Sequence, residues 1–161
     1  MTETKITVRR AETAEWDSAM EVVWRTYLKF EAPLYGEEGK EHFYEFISGE
    51  QLHRMFEIGE YPMWVAVEGS RIVGVASLRA GNHISLLFVD EAYHRRGIGK
   101  RLVIAMQQYA MQRGNVKLTV NSSPYGEPFY HALGFMNSSE TLRTDGIIYT
   151  PMILFEELQQ L

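Results

Sequence analysis

"HISLLFVDEAYHRRGIGKRLVIAMQQYA", residues 83–110, is the stretch that decides how the rest of the chain is arranged. It opens with a strand-like apolar run and passes through a basic segment with two glycines one residue apart. It ends with apolar residues at helical spacing. A second strand-like run, "NVKLTVN", follows at residues 115–121. Because a strand, a helix and a strand in one sheet join by a right-handed parallel crossover, we predict that unit for residues 83–121.

On either side of this unit, the sequence predicts antiparallel strands and further helices. Residues 61–80 form a predicted hairpin that turns at Gly69. The other predicted elements are a strand at 5–10, helices at about 13–30 and 40–56 joined by a turn-rich connection at 31–39, a short helix within 127–135, and a strand at 146–155. Together they predict an α/β fold in a single domain, residues 1–161. Its central sheet is mixed and mostly antiparallel, with one parallel β-α-β crossover.

The composition excludes several classes of protein. The chain has 161 residues, 45% of them hydrophobic, and a formal net charge of −5, which is a globular balance without general affinity for nucleic acid. No cysteine is present, which excludes disulfides, thiolate metal sites and a cysteine acyl-enzyme within this chain. No apolar run approaches the roughly 20 residues of a membrane helix, and residues 1–10 lack the apolar core of a signal peptide. We therefore expect a cytoplasmic protein with no membrane or nucleic-acid partner.

The basic segment between the predicted strand and helix indicates an anion site. A dinucleotide fingerprint would need glycine where Leu102 stands, and a P-loop would need glycine at His94 and Ser or Thr at Arg101. Gly97 and Gly99 nevertheless leave the backbone open where the first helical amides lack intrahelical partners. Basic residues in the first turn of a helix are unfavourable by roughly 0.3–1 kcal/mol each because they oppose the helix dipole, so a purely structural helix start would favour Asp or Glu. The pattern therefore favours a bound diphosphate over a capped helix with a solvated basic turn.

Two segments resemble motifs of the GCN5-related N-acetyltransferases. "HRRGIGKRL", residues 94–102, resembles the family's coenzyme A pyrophosphate loop, Gln/Arg-x-x-Gly-x-Gly/Ala, with His94 in place of the usual first residue. "PFYHALGF", residues 128–135, is similar to the family's Phe-Tyr-x-x-Leu-Gly-Phe segment. The resemblance implies the family's acyl-CoA N-acyltransferase fold. It also implies an acetyl-CoA-dependent N-acetyltransferase that moves the acetyl group directly to an amine.

The same resemblance implies which residues hold the cosubstrate acetyl-CoA. Loop amides would bind the diphosphate, while the amides of Leu87 and Val89 would face the acetyl carbonyl and pantetheine. Asn121 and Ser123 follow the second parallel strand, where ligands commonly bind in open α/β sheets, although the family often has Asn at the position of Ser123. The implied cofactor-binding set is Leu87, Phe88, Val89, His94, Arg95, Arg96, Gly97, Ile98, Gly99, Lys100, Asn121, Ser123 and Tyr130.

Three positions carry the implied catalysis: Tyr130, His83 and Leu87. Tyr130 matches a family tyrosine near the sulfur, and we expect it to hydrogen-bond the departing thiolate, since a phenol of pKa ~10 is a weaker acid than a thiol of pKa ~8.5. His83 falls where some members carry a catalytic glutamate, and strand alternation places it on one face with Ser85, Leu87 and Val89. An imidazole of pKa ~6.5 can take the amine's proton, although many relatives use water.

The expected acceptor is a small-molecule or peptide amine. Residues 30–46 offer Glu31 and further acids beside aromatic rings, which suits a cationic amine and equally suits an ordinary solvated helix face. His42, His53 and His131 show no metal-like spacing, so no metal is expected. The alternative function is a non-catalytic acyl-CoA-binding regulatory module, which would keep the loop without needing His83 or Tyr130. Dimers are common in the family, which leaves a homodimer open.

Overall fold

A computed structural model describes residues 5–159, which are arranged around a sheet of eight strands. The strands are β1 (Ile6–Arg10), β2 (Met63–Glu68), β3 (Arg71–Arg79), β4 (His83–Val89), β5 (Leu118–Ser122), β6 (Met136–Asn137), β7 (Leu142–Thr144) and β8 (Ile147–Leu154). They lie in the order β1-β2-β3-β4-β5-β8-β6, and β7 pairs with β8. Among these strands β4 and β5 are parallel and the other pairs are antiparallel. The predicted fold class, with its parallel crossover, is confirmed.

Helices cover both faces of the sheet. They are α1 (Trp16–Phe30), α2 (Ala32–Ser48), α3 (Glu50–Glu57), α4 (Ile98–Gln112) and α5 (Glu127–Leu133). Because side chains alternate along a strand, β2 directs Trp64 into the core beneath α4 and Val65 into the core beneath α1. Leu102 of α4 and Val23 of α1 are fully buried in these two cores. Within residues 5–159, none of the helices has the length and apolar character to span a bilayer.

The parallel strands β4 and β5 separate soon after their pairing begins. His83 pairs with Thr119 and Ile84 with Val120, and the ladder between the two strands ends there. Strand β4 nevertheless continues to Val89, paired with β3 alone. Since the crossover helix α4 starts just beyond this end of β4, its first turn lies beside the gap between the two strands.

A bulge at Ser85 changes which side chains of β4 share a face. The pairing register with β3 skips Ser85, so this residue is the extra one in the ladder. As a result, Ile84 packs in the core beneath α4, whereas Leu86, two residues further on, packs in the core beneath α1. The alternation that placed His83 and Ser85 on one face with Leu87 is therefore wrong, because the bulge reverses the faces midway along the strand.

Two glycines change the predicted helical region. The turn-rich connection predicted at residues 31–39 is wrong, because most of it belongs to α2, which begins with Pro33 in its first turn and is interrupted at Gly36 (φ 75°, ψ −170°). The single helix predicted for residues 40–56 is divided at Gly49, whose extended backbone (φ −71°, ψ 142°) ends α2 and begins α3. The sequence gives no bounds for β6 and β7, since two or three residues carry no readable alternation.

Replacing Leu102 with alanine should lower the free energy of unfolding by about 2–5 kcal/mol, because it leaves a cavity where a fully buried side chain joins α4 to the sheet. Urea unfolding followed by circular dichroism measures the change. Val116→Ala is the matched control, since Val116 is 78% exposed and such surface changes stay within about 0.5 kcal/mol. Equal losses in the two variants would contradict the position of Leu102 in the core.

Candidate active site

The separation of β4 from β5 opens a cleft of about 640 Å³. Its walls come from the ends of β4 and β5, the first turn of α4, the helix α5 and the C-terminal end of α1. Every member of the sequence-predicted cofactor-binding set lines this cleft except Arg96. The tertiary structure therefore brings together segments that lie more than thirty residues apart in the chain.

Backbone amides of β4 face the open cleft because β5 no longer pairs with them. The amide of Asp90 donates to the carbonyl of Val73 on β3 (2.8 Å). Since successive amides of a strand point to opposite sides, those of Leu87 and Val89 point away from β3 and into the gap. The carbonyl oxygen of Val89 has the same orientation and accepts a hydrogen bond from Nε2 of His94 (2.6 Å). Unpaired donors of this kind can bind the carbonyl groups of a ligand that takes the place of the missing strand.

The two glycines of the loop are required for different physical reasons. Gly97 is the N-cap of α4 and has a φ of 76°, a left-handed conformation that glycine adopts without strain. Gly99 lies so close to α5 that a Cβ there would come within 2.9 Å of Cε1 of Phe129. The first intrahelical bond of α4 runs from the amide of Arg101 to the carbonyl of Gly97 (3.1 Å), so the amides before Arg101 are free to bind an anion.

The basic residues of the loop divide into two groups. The side chains of Arg95 and Lys100 line the cleft. The guanidinium of Arg96 instead lies over the ring of Tyr93, 5.0 Å from its centroid, and Arg101 donates to the carbonyl of Ile6 (3.1 Å). The structure therefore places the Arg96 side chain outside the cleft, and cationic side chains that can reach a bound diphosphate come from Arg95 and Lys100.

Tyr130 stands on α5 at the inner wall of the cleft. Its ring is 7% exposed and packs edge-on against Phe129 and Phe135, with centroids 5.1 Å apart in each case. Burial, together with the carboxylate of Glu31, raises the pKa of Tyr130 well above its ordinary value. The phenol therefore stays protonated and can donate a hydrogen bond to a charge that develops in the cleft.

His83 is held away from the cleft. Its Nδ1 lies 2.7 Å from Oγ1 of Thr119 on the neighbouring strand, and the ring is not part of the cleft wall. Burial, reinforced by the positive charge of Arg79, lowers the pKa of His83 to about 4. The position and the hydrogen bond argue against the predicted role of His83 as the base, because the bulge at Ser85 turns this part of β4 away from the face of Leu87.

Asn121 and Ser123 both line the cleft at the end of β5, as their position after a parallel strand predicts. The hydroxyl of Ser123 accepts a hydrogen bond from the amide of Gly126 (3.0 Å), which begins the turn into α5. Ser123 therefore positions Tyr130 through the start of its helix, a structural contribution in addition to any contact with a ligand.

Glu31 lines the cleft, although the sequence indicated only that it belongs to an acidic surface. It follows the last residue of α1 and is half-buried in the cleft wall. Burial raises the pKa of Glu31 to about 7, while the nearby hydroxyl of Ser123 acts in the opposite direction. No motif marks this position. The signal was a carboxylate placed beside a predicted helix end, which becomes meaningful only once α1 is packed against the cleft.

Three aromatic rings from separate segments form one side of the cleft. Phe30 of α1 packs against His94 of the loop, with ring centroids 5.0 Å apart, and against Tyr125 before α5, with centroids 4.9 Å apart. These contacts link the end of α1 to the loop before α4 and to the turn before α5. The cleft therefore has an aromatic wall along which an extended ligand can lie.

A possible set of metal ligands occurs outside the cleft. Side-chain ligand atoms of Glu38, His42 and Asp145 lie within 4.8 Å of one another, and all three residues are exposed. Sequence spacing did not reveal this group, because Asp145 comes from the turn between β7 and β8. Exposed acidic groups are often close together without a metal, and no role in the cleft follows from this cluster.

Comparison with known proteins identifies what this arrangement resembles. A family described as "Acetyltransferase (GNAT) domain" matches residues 31–155. A glucosamine 6-phosphate N-acetyltransferase of Trypanosoma brucei brucei is 35% identical over 85 residues, which are 47% of this chain and 58% of that protein. The chain thus matches little more than half the length of that curated relative.

Solved structures show the same fold. A GCN5-related N-acetyltransferase of Rhodopseudomonas palustris superposes with a TM-score of 0.80 at 24% identity, covering 95% of this chain and 97% of that one. The PaiA N-acetyltransferase of Thermoplasma acidophilum, solved with coenzyme A, superposes with a TM-score of 0.75 at 18% identity, covering 94% and 99%. With the family match over residues 31–155, these comparisons show that the chain belongs to the GNAT acetyltransferase family.

Proposed function

We propose that this chain is a single acetyltransferase domain that moves an acetyl group from acetyl-CoA to the nitrogen of an amine by direct transfer. The observation that carries the proposal is the cleft between β4 and β5, where free strand amides continue into the free amides of the first turn of α4. The chain has no cysteine that could carry the acetyl group covalently, which supports direct attack by the amine.

The residues of the cleft fit coenzyme A at both of its polar ends. Gly97 permits the turn that aims the first amides of α4 at an anion, and Arg95 and Lys100 add positive charge at the rim. Amides of Leu87 and Val89 supply donors for the amide groups of pantetheine and for the acetyl carbonyl. When bound, acetyl-CoA would supply an activated thioester carbonyl at the inner end of this row of donors.

The amide of Leu87 is the proposed donor to the acetyl oxygen. A preorganised amide aimed at a developing oxyanion contributes about 3 kcal/mol to transition-state stabilisation. This contribution depends on the backbone orientation of β4, so the leucine side chain is free to pack in the core beneath α4. The ladder between β4 and β5 ends at Ile84, next to the bulge at Ser85, so this amide has no partner on β5.

Tyr130 is the proposed donor to the departing thiolate. Because its pKa is raised by burial and by Glu31, full proton transfer from the phenol to sulfur is unfavourable. A hydrogen bond that strengthens as charge accumulates on sulfur fits the raised pKa. An amine acceptor is further supported by the Trypanosoma relative, whose name specifies an amino sugar phosphate.

A thiol-release assay tests the proposed function. Purified protein with acetyl-CoA should release free thiol in the presence of an acceptor from a panel of alkyl amines, amino sugars, amino acids and short peptides. Mass spectrometry should find the matching N-acetyl product. Coenzyme A binding without turnover across the panel would favour a non-catalytic module. An absence of calorimetric heat with millimolar coenzyme A would overturn the cofactor assignment.

Lys100→Ala should weaken the affinity for coenzyme A roughly tenfold, a loss of about 1.4 kcal/mol, because it removes a cation that lines the anion-binding end of the cleft. Isothermal titration calorimetry measures the dissociation constants. Arg101→Ala is the matched control, since the neighbouring arginine contacts the carbonyl of Ile6 on β1. If both variants lose the same affinity, the effect comes from the overall charge of the loop and the assignment to Lys100 fails.

Tyr130→Phe should lower kcat about 10²-fold and leave the affinity for acetyl-CoA nearly unchanged, because it removes only a hydrogen bond formed as charge develops on sulfur. Steady-state kinetics with a fixed acceptor separates kcat from KM. Tyr109→Phe removes a hydroxyl from α4 where the ring packs against Trp64 away from the cleft, and this variant should retain wild-type kcat. An unchanged kcat in Tyr130→Phe would remove Tyr130 from the mechanism.

A further inference from the structure

One carboxylate lines the cleft among the residues that the structure describes, and it belongs to Glu31. It enters from the junction of α1 and α2, next to Phe30, whose ring packs against His94 of the loop. Burial raises the pKa of four nearby phenols, those of Tyr27, Tyr35, Tyr125 and Tyr130, and the charge of Glu31 adds to the rise in each. Glu31 is therefore within electrostatic reach of the proposed thiolate-binding residue Tyr130.

The cations nearest to Glu31 in the chain are occupied elsewhere. Lys29 forms an ion pair with Glu91, and Arg25 binds Asp90 with a distance of 2.8 Å between Nη2 and Oδ2. No hydrogen bond or ion pair within residues 5–159 joins a Lys or Arg to Glu31, and Ser123 is the residue that stabilises its charge. A half-buried carboxylate without a cationic partner from the protein is costly, so its presence points to a cationic ligand.

We propose that Glu31 binds the ammonium group of the acceptor and then accepts its proton, and that the acceptor is an alkylammonium compound. This inference rests on the proposed acetyltransferase function. The stacked rings of Phe30 and Tyr125 line the same cleft as Glu31 and can contact a cation through their faces. Because the carboxylate repels anions, an acceptor with a negative group next to its nitrogen, such as an α-amino acid, is disfavoured.

The proton balance of the transfer is complete with these groups. The ammonium gives one proton to the Glu31 carboxylate and becomes a neutral amine. The nitrogen lone pair then forms a bond to the acetyl carbon, the carbon–sulfur bond breaks, and its electron pair leaves on sulfur. The second nitrogen proton passes to the thiolate, directly or through water, while the Tyr130 hydroxyl donates a hydrogen bond to sulfur. The products are the N-acetyl amine, the coenzyme A thiol and one proton that Glu31 releases to solvent.

Several titratable or charged groups lie around Glu31. Four are phenols that stay neutral because their pKa values are raised: Tyr27, Tyr35, Tyr125 and Tyr130. The charged side chain of Arg95 acts on Tyr125, and Glu91 is paired with Lys29. The Nε2 atom of His94 hydrogen-bonds the carbonyl of Val89. The raised pKa of Glu31, about 7, suits a base that must exchange protons with solvent in each turnover.

The test compares Glu31→Gln with Glu21→Gln, which makes the same change on the outer face of α1, where the side chain is 76% exposed. With an alkyl amine, Glu31→Gln should lower kcat/KM at least about 10²-fold and abolish the rise of kcat/KM with pH near 7. The affinity for coenzyme A should stay within about twofold by calorimetry, because the loop is intact. Glu21→Gln should match the wild type in all three measurements.

A readout independent of activity comes from thermal stability. Folding raises the pKa of Glu31 from 4.5 to about 7, so the folded state holds a proton that the unfolded chain loses, and stability falls as pH rises through this range. Glutamine does not titrate, so Glu31→Gln should not lose stability as the pH rises. Its Tm should exceed that of the wild type by about 2 °C or more at pH 8 but not at pH 4.5.

The outcomes separate the two proposals. If Glu31→Gln keeps the kcat/KM of the wild type and the same pH profile, the role of Glu31 is overturned and the acetyltransferase function stands. A preference for α-amino acids or neutral arylamines over alkyl amines would overturn the proposed acceptor class. Coenzyme A binding without thiol release from any amine would overturn both proposals, whatever the Tm of the variant.

Discussion

The structure depends on the early end of the parallel ladder between β4 and β5. Backbone N–H groups in a sheet normally bond to the neighbouring strand, and an unpaired row of them is unfavourable unless water or a ligand satisfies it. Pairing stops after Ile84 and Val120, so the outer edge of β4 is available over the residues that lead to the anion-binding loop. A ligand with regularly spaced carbonyl groups can bind there in place of a strand, and its anionic end then reaches the first turn of α4.

The two cores on either side of the sheet hold this opening in shape. The core beneath α4 includes Tyr130 and Phe135, so the cleft wall formed by α5 is part of a packed interior. The close approach of Phe129 to Gly99 links the same helix to the anion-binding loop. The core beneath α1 includes Tyr27 and Phe43, whose rings stack with centroids 4.1 Å apart and support the junction that carries Glu31. Residues that act at one cleft are therefore positioned by different hydrophobic clusters.

Charge is distributed along the cleft although the chain as a whole is acidic, with a formal net charge of −5. Arg95 and Lys100 lie at the loop, whereas Glu31 lies at the junction of α1 and α2. One cleft therefore carries positive charge on the loop and negative charge at the junction of α1 and α2. Net charge alone could not reveal this separation, because it averages over residues that the fold sorts to different surfaces.

The sequence by itself determined the sheet class, the parallel crossover, the family and about half of the residues that line the cleft. It could do so because these features depend on local patterns: alternation, helical periodicity, and glycines at the junction of β4 and α4. Tertiary structure decided the rest. The bulge at Ser85 leaves His83 outside the cleft, and packing on Tyr93 places the Arg96 side chain outside it as well. The position of α1 places Glu31 in the cleft wall. Each of these depends on contacts between segments distant in the chain, which no spacing within one segment encodes.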